Sequence, residues 1–471
     1  MYRKLFILFN FALVAVLGFA IWRSAHPKWM TYQHNYYNMA ADAMEKQAAA
    51  IKDPAAAAKM REQAEELRHT PLKIKQILTV FGGVDRCTTC HVAMDEFVNP
   101  TMKNNFTQEP YAAHPLVDGI DLNKTHNFQK YGCSVCHQGQ GMATTAKDAH
   151  GFVDNWQKPL LKGKFIQAAC ARCHANFEHA PGMQFVALGK KLFYKHGCQG
   201  CHAINGVGQT VSVDLGDIAD KPMERIEPYN LSLIRIDGKP LPQSQWTLQN
   251  WIFAHVASDP ESFVVNDPLA KYNPEPIAPT GMVNWTADDV SGHRELSEED
   301  AKAITTFLLS MTSEQIPYQY HVAGIGPMPD PDPHFTNPVA HGKYVFEKYG
   351  CAACHGLYGA KGRRNFNALG PGQVPLDQYA KLSDAQKIAE MAKGREPTLT
   401  QVVGTYDHQE LVNKISNGVP ETAVARYNPD GPMPPLYMPA WKDRGLKGKE
   451  LDDLATWLLT IGQSNQSQGG F

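Results

Sequence analysis

Ten cysteines stand in five pairs, each with two residues between its members: Cys87/Cys90, Cys133/Cys136, Cys170/Cys173, Cys198/Cys201 and Cys351/Cys354. A histidine directly follows every pair, as His91, His137, His174, His202 and His355, and no cysteine is left over. With 19 histidines in 471 residues, five such placements out of five do not arise by chance. Two thiols at this spacing can add to the two vinyl groups on one edge of a haem, forming thioethers, and the adjacent imidazole then binds the iron from the proximal side. A zinc site would close one tetrahedron from two neighbouring pairs and leave the five histidines without a role. A redox dithiol leaves them unexplained as well. The expected cofactor is five covalently bound haem c groups, with iron as the metal.

Iron that only transfers electrons is expected to carry a second axial ligand, so each motif needs another donor. For the three N-terminal motifs the nearby candidates are His114, His126 and His150, with His179 next and His69 an outsider. A lone histidine is more often a surface or core residue, but three motifs in little more than a hundred residues reverse that expectation. For the last motif the expected donor is the sulfur of Met438, with Met433 a weaker competitor. For the fourth it is Met282, with His293 as the rival.

These groups need elements to hold them, and the composition says of what kind. A hydrophobic fraction of 43% with 20% charged residues is that of a globular chain. A net charge of −2 and the lack of a basic stripe argue against nucleic acid as a partner. Arg3 and Lys4 precede an apolar run from Leu5 to Trp22, broken only by Asn10. As a helix that run spans roughly 27 Å, close to the hydrocarbon thickness of a bilayer. The exit Trp22-Arg23-Ser24-Ala25-His26-Pro27 is a poor cleavage site, so an uncleaved anchor is expected, with a removed signal as the alternative. Either delivers the body of the chain across the membrane. Trp22, Trp29 and Tyr32 are candidates for an aromatic belt.

Residues 31–69 are rich in helix formers and interrupted by Asp53-Pro54, which predicts two helices serving as a stalk, either a solvated spacer or a partner-binding hairpin. The three close motifs that follow have too few residues for conventional cores, so the porphyrins must supply the buried apolar mass. Beyond them an internal repeat emerges. Gly189 and Phe193 lead into Gly197 and the fourth motif, and Gly342 and Phe346 lead into Gly350 and the fifth. Met282-Val-Asn-Trp285 and Met438-Pro-Ala-Trp441 follow at matching distances. Each is succeeded by an amphipathic helix, one opening at Ser297 and burying Ile304, Phe307 and Leu308, the other opening near Gly448 and burying Leu451, Leu454, Trp457 and Leu458. A Pro-rich linker, Gly326 to Pro333, lies between the two copies.

These repeated parts resemble class I cytochrome c. The last domain carries Gly-x-x-x-Phe, Cys-x-x-Cys-His, Tyr-Met-Pro-Ala-Trp and a Leu-rich C-terminal helix in the family's order, and residues 185–312 resemble a divergent, inserted version in which Val283 follows the methionine. The resemblance implies a small all-α fold whose first and last helices cross, with the late methionine as second iron ligand. The N-terminal motifs, from Val84 to His91 and from Gly132 to Gly141, are similar to multihaem cytochromes that accompany bacterial quinol-oxidising membrane complexes.

The expected architecture is mainly α: a transmembrane anchor at 1–29, a helical stalk at 30–75, a haem-packed trihaem domain at 76–180, and class I cytochrome c-like domains at 181–320 and 321–471. The expected role is electron transfer in a respiratory chain, from a quinol-oxidising partner to a soluble cytochrome or terminal reductase, with the haem domains in the periplasm and the anchor in the bacterial cytoplasmic membrane. The rival is a peroxidase-type haem enzyme, which needs one open iron. A Cys-ligated version is excluded, because no spare cysteine exists.

Overall fold

Apolar residues spaced three and four apart dominate the long segments, and helix dominates the structure, a computed structural model with 57% helix and 4% strand. It describes residues 2–471 apart from 98–105, 107, 116–118, 154–155, 175, 211, 227–233, 237–238, 257–262, 266–295, 315, 323–332, 360–373, 375–377, 379–380, 384–385, 387–397, 420–437 and 467–471. Met282, its rival His293, Met433 and most of the Pro-rich linker lie outside the described residues. Contacts divide the chain into two units, Met1–Leu161 and Lys162–Phe471. The third motif thus falls in the second unit, whereas the sequence grouped it with the first two.

The first unit begins with α1 (Tyr2–Ala25), the one helix among the described residues long and apolar enough to cross a membrane. Its Phe6, Phe9, Phe11 and Val14 are exposed, and the polar break at Asn10 is healed locally, the amide donating to Phe6 O at 2.7 Å. Two further helices, α2 (Lys28–Ala50) and α3 (Pro54–Arg68), pack side by side. Asp53 caps α3 by accepting from the Ala55 N–H, and Pro54 fills its first turn, where a missing N–H costs nothing. Alanines 41, 48, 57 and 64 are buried between them, and their small side chains allow close approach.

The pair is not a free spacer. Tyr36, Tyr37 and Ala40 of α2 share a core with Val92, Ala93 and Tyr111. Gln33, wholly buried, donates to Lys73 O at 2.7 Å and to Thr89 O at 2.9 Å, and accepts from the Lys73 N–H. Thr89 lies between Cys87 and Cys90, so α2 pins the first attachment loop. Trp29 is buried as well, which leaves only Trp22 and half-exposed Tyr32 for an aromatic belt.

In the second unit the repeat folds twice in the same way. Helix α4 (Gln184–Lys195) packs on α6 (Glu298–Leu309), with α5 (Leu248–Val256) against α6; α7 (Pro338–Lys348) packs on α9 (Gly448–Gln466), beside α8 (His408–Asn417). Glycine permits both crossings. A Cβ on Gly189 would stand 1.9 Å from Ala303 O, and one on Gly342 would stand 2.0 Å from Asp453 O. The aromatic one turn later closes each junction: Phe193 meets Phe307 at 5.6 Å between ring centres, and Phe346 meets Trp457 at 4.9 Å. Each of these rings is nearly fully buried and contributes roughly 1.5–3 kcal/mol by leaving water. Ser297 opens α6 with a reciprocal capping box to Asp300, as its sequence predicts. The first and last helices of each copy therefore cross as the resemblance implies.

Candidate haem centres

In the first unit a short hairpin, β1 (Ile77–Leu78) with β2 (Val84–Asp85), delivers one buried carboxylate to two attachment loops. Asp85 Oδ1 accepts from the Cys87 N–H at 3.0 Å, and Oδ2 accepts from the Cys133 and Ser134 N–H groups at 2.9 and 2.8 Å. The first two motifs are thus capped by a single side chain. Gly132 must leave room for it: at φ +75° its Cβ would meet Asp85 Oδ2 at 2.9 Å. Asp85, Cys87 and Cys133 also lie close enough to suggest a metal triad. The carboxylate is already spent on three N–H groups, and contact with Cys133 together with burial pushes the Cys87 thiol well up, which is unfavourable to a thiolate ligand.

That triad takes one sulfur from each of two motifs and leaves out Cys136, which the sequence pairs with Cys133 on a single haem edge. Cys136 sits one turn beyond Cys133, in the short helical turn Ser134–His137, and its N–H donates to Cys133 O at 3.1 Å. The same backbone turn recurs at the fifth motif, where the Cys354 and His355 N–H groups donate to Cys351 O at 3.2 and 3.0 Å. One turn of helix holds both sulfurs on one side of the chain, as two thioethers to one ring require.

All ten cysteines, Cys136 included, are free of disulfides and half-buried. Burial raises the Cys90 and Cys170 thiols to about 11 and Cys351 to about 12, so they remain neutral sulfur in apolar surroundings. Thioether formation suits that setting, whereas zinc would need thiolates.

The imidazoles that follow the cysteine pairs are held as iron ligands would need to be. His91 holds its Nδ1 3.3 Å from Glu109 Oε2, His137 hydrogen-bonds backbone at Leu161, and His202 donates from Nδ1 to Val213 O at 3.0 Å. An acceptor on Nδ1 selects the tautomer whose Nε2 lone pair is available. Burial keeps all three imidazoles below the usual range, hence neutral and able to coordinate. His174 sits on a parallel bridge with Val322, whose N–H donates to Cys173 O at 2.8 Å.

Two of the three candidate N-terminal ligands stand opposite proximal histidines. The His91 and His150 rings are 6.4 Å apart, and those of His114 and His137 are 6.0 Å apart. Two imidazoles bound end-on to one metal, each at about 2 Å, place their ring centres roughly 6 Å apart, so both pairs fit a shared iron. His126 belongs to neither pair; its Nδ1 is 3.0 Å from the Thr125 hydroxyl. His69 is exposed and bound to Glu65, away from this role. In the last domain Met438 and Cys351 flank one core, and Met438 O accepts from the Val419 N–H at 2.8 Å.

Sequence reasoning missed Asp85, Gln33 and Glu109, polar residues far from the motifs in sequence or ordinary in type. It also missed His255, half-buried on α5 beside the core that Cys198 of the fourth motif packs against.

Comparison with known proteins bears on the two C-terminal copies. The family model for cytochrome c matches twice, over residues 186–312 and 339–462, together more than half the chain. No curated protein and no solved structure matches the chain significantly.

Proposed function

The chain belongs to the cytochrome c family, whose members bind haem covalently and carry electrons, and from that premise we propose a membrane-anchored pentahaem electron carrier of a respiratory chain. The anchor is α1, in a bacterial cytoplasmic membrane, with the haem domains in the periplasm. Electrons enter from a quinol-oxidising membrane partner and leave to a soluble cytochrome or a terminal reductase.

One observation supports transfer without substrate chemistry above the others. The pairs His91/His150 and His114/His137 are spaced so that each could hold one iron between two imidazoles, which would leave no coordination site for a peroxide at those two irons. When bound, the haem supplies one-electron chemistry at iron. The chain supplies the rest: paired thiols fix each ring edge, Nδ1 acceptors orient the proximal imidazoles, and burial keeps those imidazoles neutral. In this reading Met438 serves the fifth iron.

Mass spectrometry of the intact protein after acid-acetone extraction tests the haem count, because thioethers survive where coordinate bonds do not. Five retained haems are expected, and replacing Cys351 and Cys354 by Ala should remove one. Fewer than five in the native protein overturns the count. Rapid peroxide turnover with CO binding to one native haem would favour the peroxidase-type enzyme instead.

A further inference from the structure

The second unit offers the fourth motif a donor of a kind other than methionine. His255 lies near the C-terminus of α5, whose Ile252, Phe253, Ala254 and Val256 belong to the core that Cys198 packs against. Its Nδ1 donates to Trp251 O at 2.7 Å, one turn back, which leaves Nε2 with a free lone pair. The fourth proximal histidine, His202, is arranged alike, with Nδ1 bound to Val213 O. Positive charge on Lys221 and, less, on His202 also disfavours charge on His255. Burial, the larger influence, lowers His255 to about 4, so it is a neutral donor at physiological pH.

The internal repeat fixes what this position faces. Leu248, Asn250, Ile252 and Val256 match Leu411, Asn413, Ile415 and Val419 at identical spacing, and the Leu and Ile of both sets are buried. The register sets His255 against Gly418. A Cβ on Gly418 would stand 2.4 Å from Met438 O, so this point of the fold runs against the segment that carries the fifth haem's expected distal sulfur. In the fourth domain an imidazole occupies that point. Beside it, Trp251 packs at 4.1 Å between ring centres, and its indole N–H is buried with no acceptor among the described residues. A buried orphan donor next to a histidine fits a bound group with acceptor atoms.

We propose that His255 Nε2, not the sulfur of Met282, is the second axial ligand of the haem held by Cys198, Cys201 and His202. This rests on haem attachment at the fourth motif. It makes the fourth centre bis-imidazole, although its domain is of a family expected to use methionine.

The test uses the full-length holoprotein. First, mass analysis of the peptide containing Cys198 and Cys201 must show its haem; a bare peptide would refute attachment there, a failure separate from the ligand question. In His255→Ala, haem stoichiometry should stay unchanged while electron paramagnetic resonance shows one new high-spin iron and CO binding rises by one site per chain. Added imidazole should reverse both changes, which a merely structural histidine would not allow. Met282→Ala should alter neither signal. If His255→Ala is not recovered folded, the Met438→His background decides: near-infrared magnetic circular dichroism should then contain no iron–thioether band. A residual thioether band, or an unchanged spin state in His255→Ala with a new high-spin iron in Met282→Ala, would overturn the proposal.

Discussion

Gly197 and Gly350, each the residue before the first cysteine of its motif, face one another so closely that a Cβ on either would stand 2.8 or 2.9 Å from the other's carbonyl oxygen. Around them the contact is reciprocal. A Cβ on Gly197 would stand 2.5 Å from the Ala353 nitrogen, and one on Gly350 would stand 2.3 Å from the nitrogen of Gly200, the counterpart of Ala353 in the repeat. The same residues meet in both directions, as across a two-fold axis. Gln199 seals the junction by donating to Glu347 O at 2.7 Å. Burial and then the Cys354 charge push the Cys201 thiol up there. The fourth and fifth attachment edges are therefore in backbone contact.

Gly350→Val should disrupt this junction specifically. Position 350 has φ +68°, which costs an L-residue about 1–2 kcal/mol, and the added side chain collides with the Gly200 backbone. The expected result is a lower denaturant midpoint for the second unit with the haem count intact. Electron exchange between the fourth and fifth haems, followed after flash reduction, should slow. Unchanged exchange would mean that the junction is not the electron path.

The N-terminal ligands can be separated one iron at a time. His150→Ala and His114→Ala should each leave all haem attached while converting one low-spin iron to a high-spin, CO-binding form. CO titration of each variant reads the outcome, and a variant that stays silent would show that its histidine is not an iron ligand.

How much of this was legible in sequence depended on the range of the interaction. Thioether attachment is encoded within five residues, so Cys198 to His202 declared itself without a fold. The glycines 189 and 342 declared themselves through repetition, and the structure supplies the reason: a backbone oxygen about 2 Å from any Cβ. Distal ligands are different. His150 and His114 could be nominated as donors, but which iron each faces depends on how Asp85 ties two loops together. His255 was passed over because a single histidine on an apolar helix resembles any core residue. The signal was the spacing shared by Leu248–Val256 and Leu411–Val419, which acquires meaning only once both segments are seen as helix ends in the same place.

Acid should loosen the last domain through Asp453. Burial alone would raise this carboxyl, but hydrogen bonds from Lys449 and from His341, the latter at 2.6 Å, outweigh it and hold the group below its ordinary value. A carboxylate depressed in the folded state adds stability that is fully present above its unfolded value. That stability is lost as pH falls through the lower folded value. The denaturant midpoint of the second unit should thus be flat near neutrality and drop below about pH 4. Asp453→Asn should lower the neutral midpoint and flatten the acid limb attributable to this group. An acid limb unchanged in the variant would assign the loss to other carboxylates, with Glu450 beside Lys348 first among them.

The direction of electron flow follows from ligand chemistry. Thioether sulfur favours ferrous iron over ferric, and axial ligation tunes haem potentials across about 0.8 V. If imidazole pairs hold the N-terminal irons and His255 the fourth, Met438 leaves the fifth haem as the one thioether-ligated centre, and so the one of highest potential. Electrons from a quinol-oxidising partner would collect there before leaving to the acceptor. Met438→His should lower the potential of one haem and abolish the weak red-edge band of an iron–sulfur bond. It should slow delivery to the acceptor while leaving reduction of the other haems intact. A spectroelectrochemical titration of wild type and variant checks each of these. If the highest-potential haem keeps its potential in Met438→His, the terminal centre lies elsewhere. If the red-edge band also survives, Met438 is an ordinary core residue and the proposed direction loses its basis.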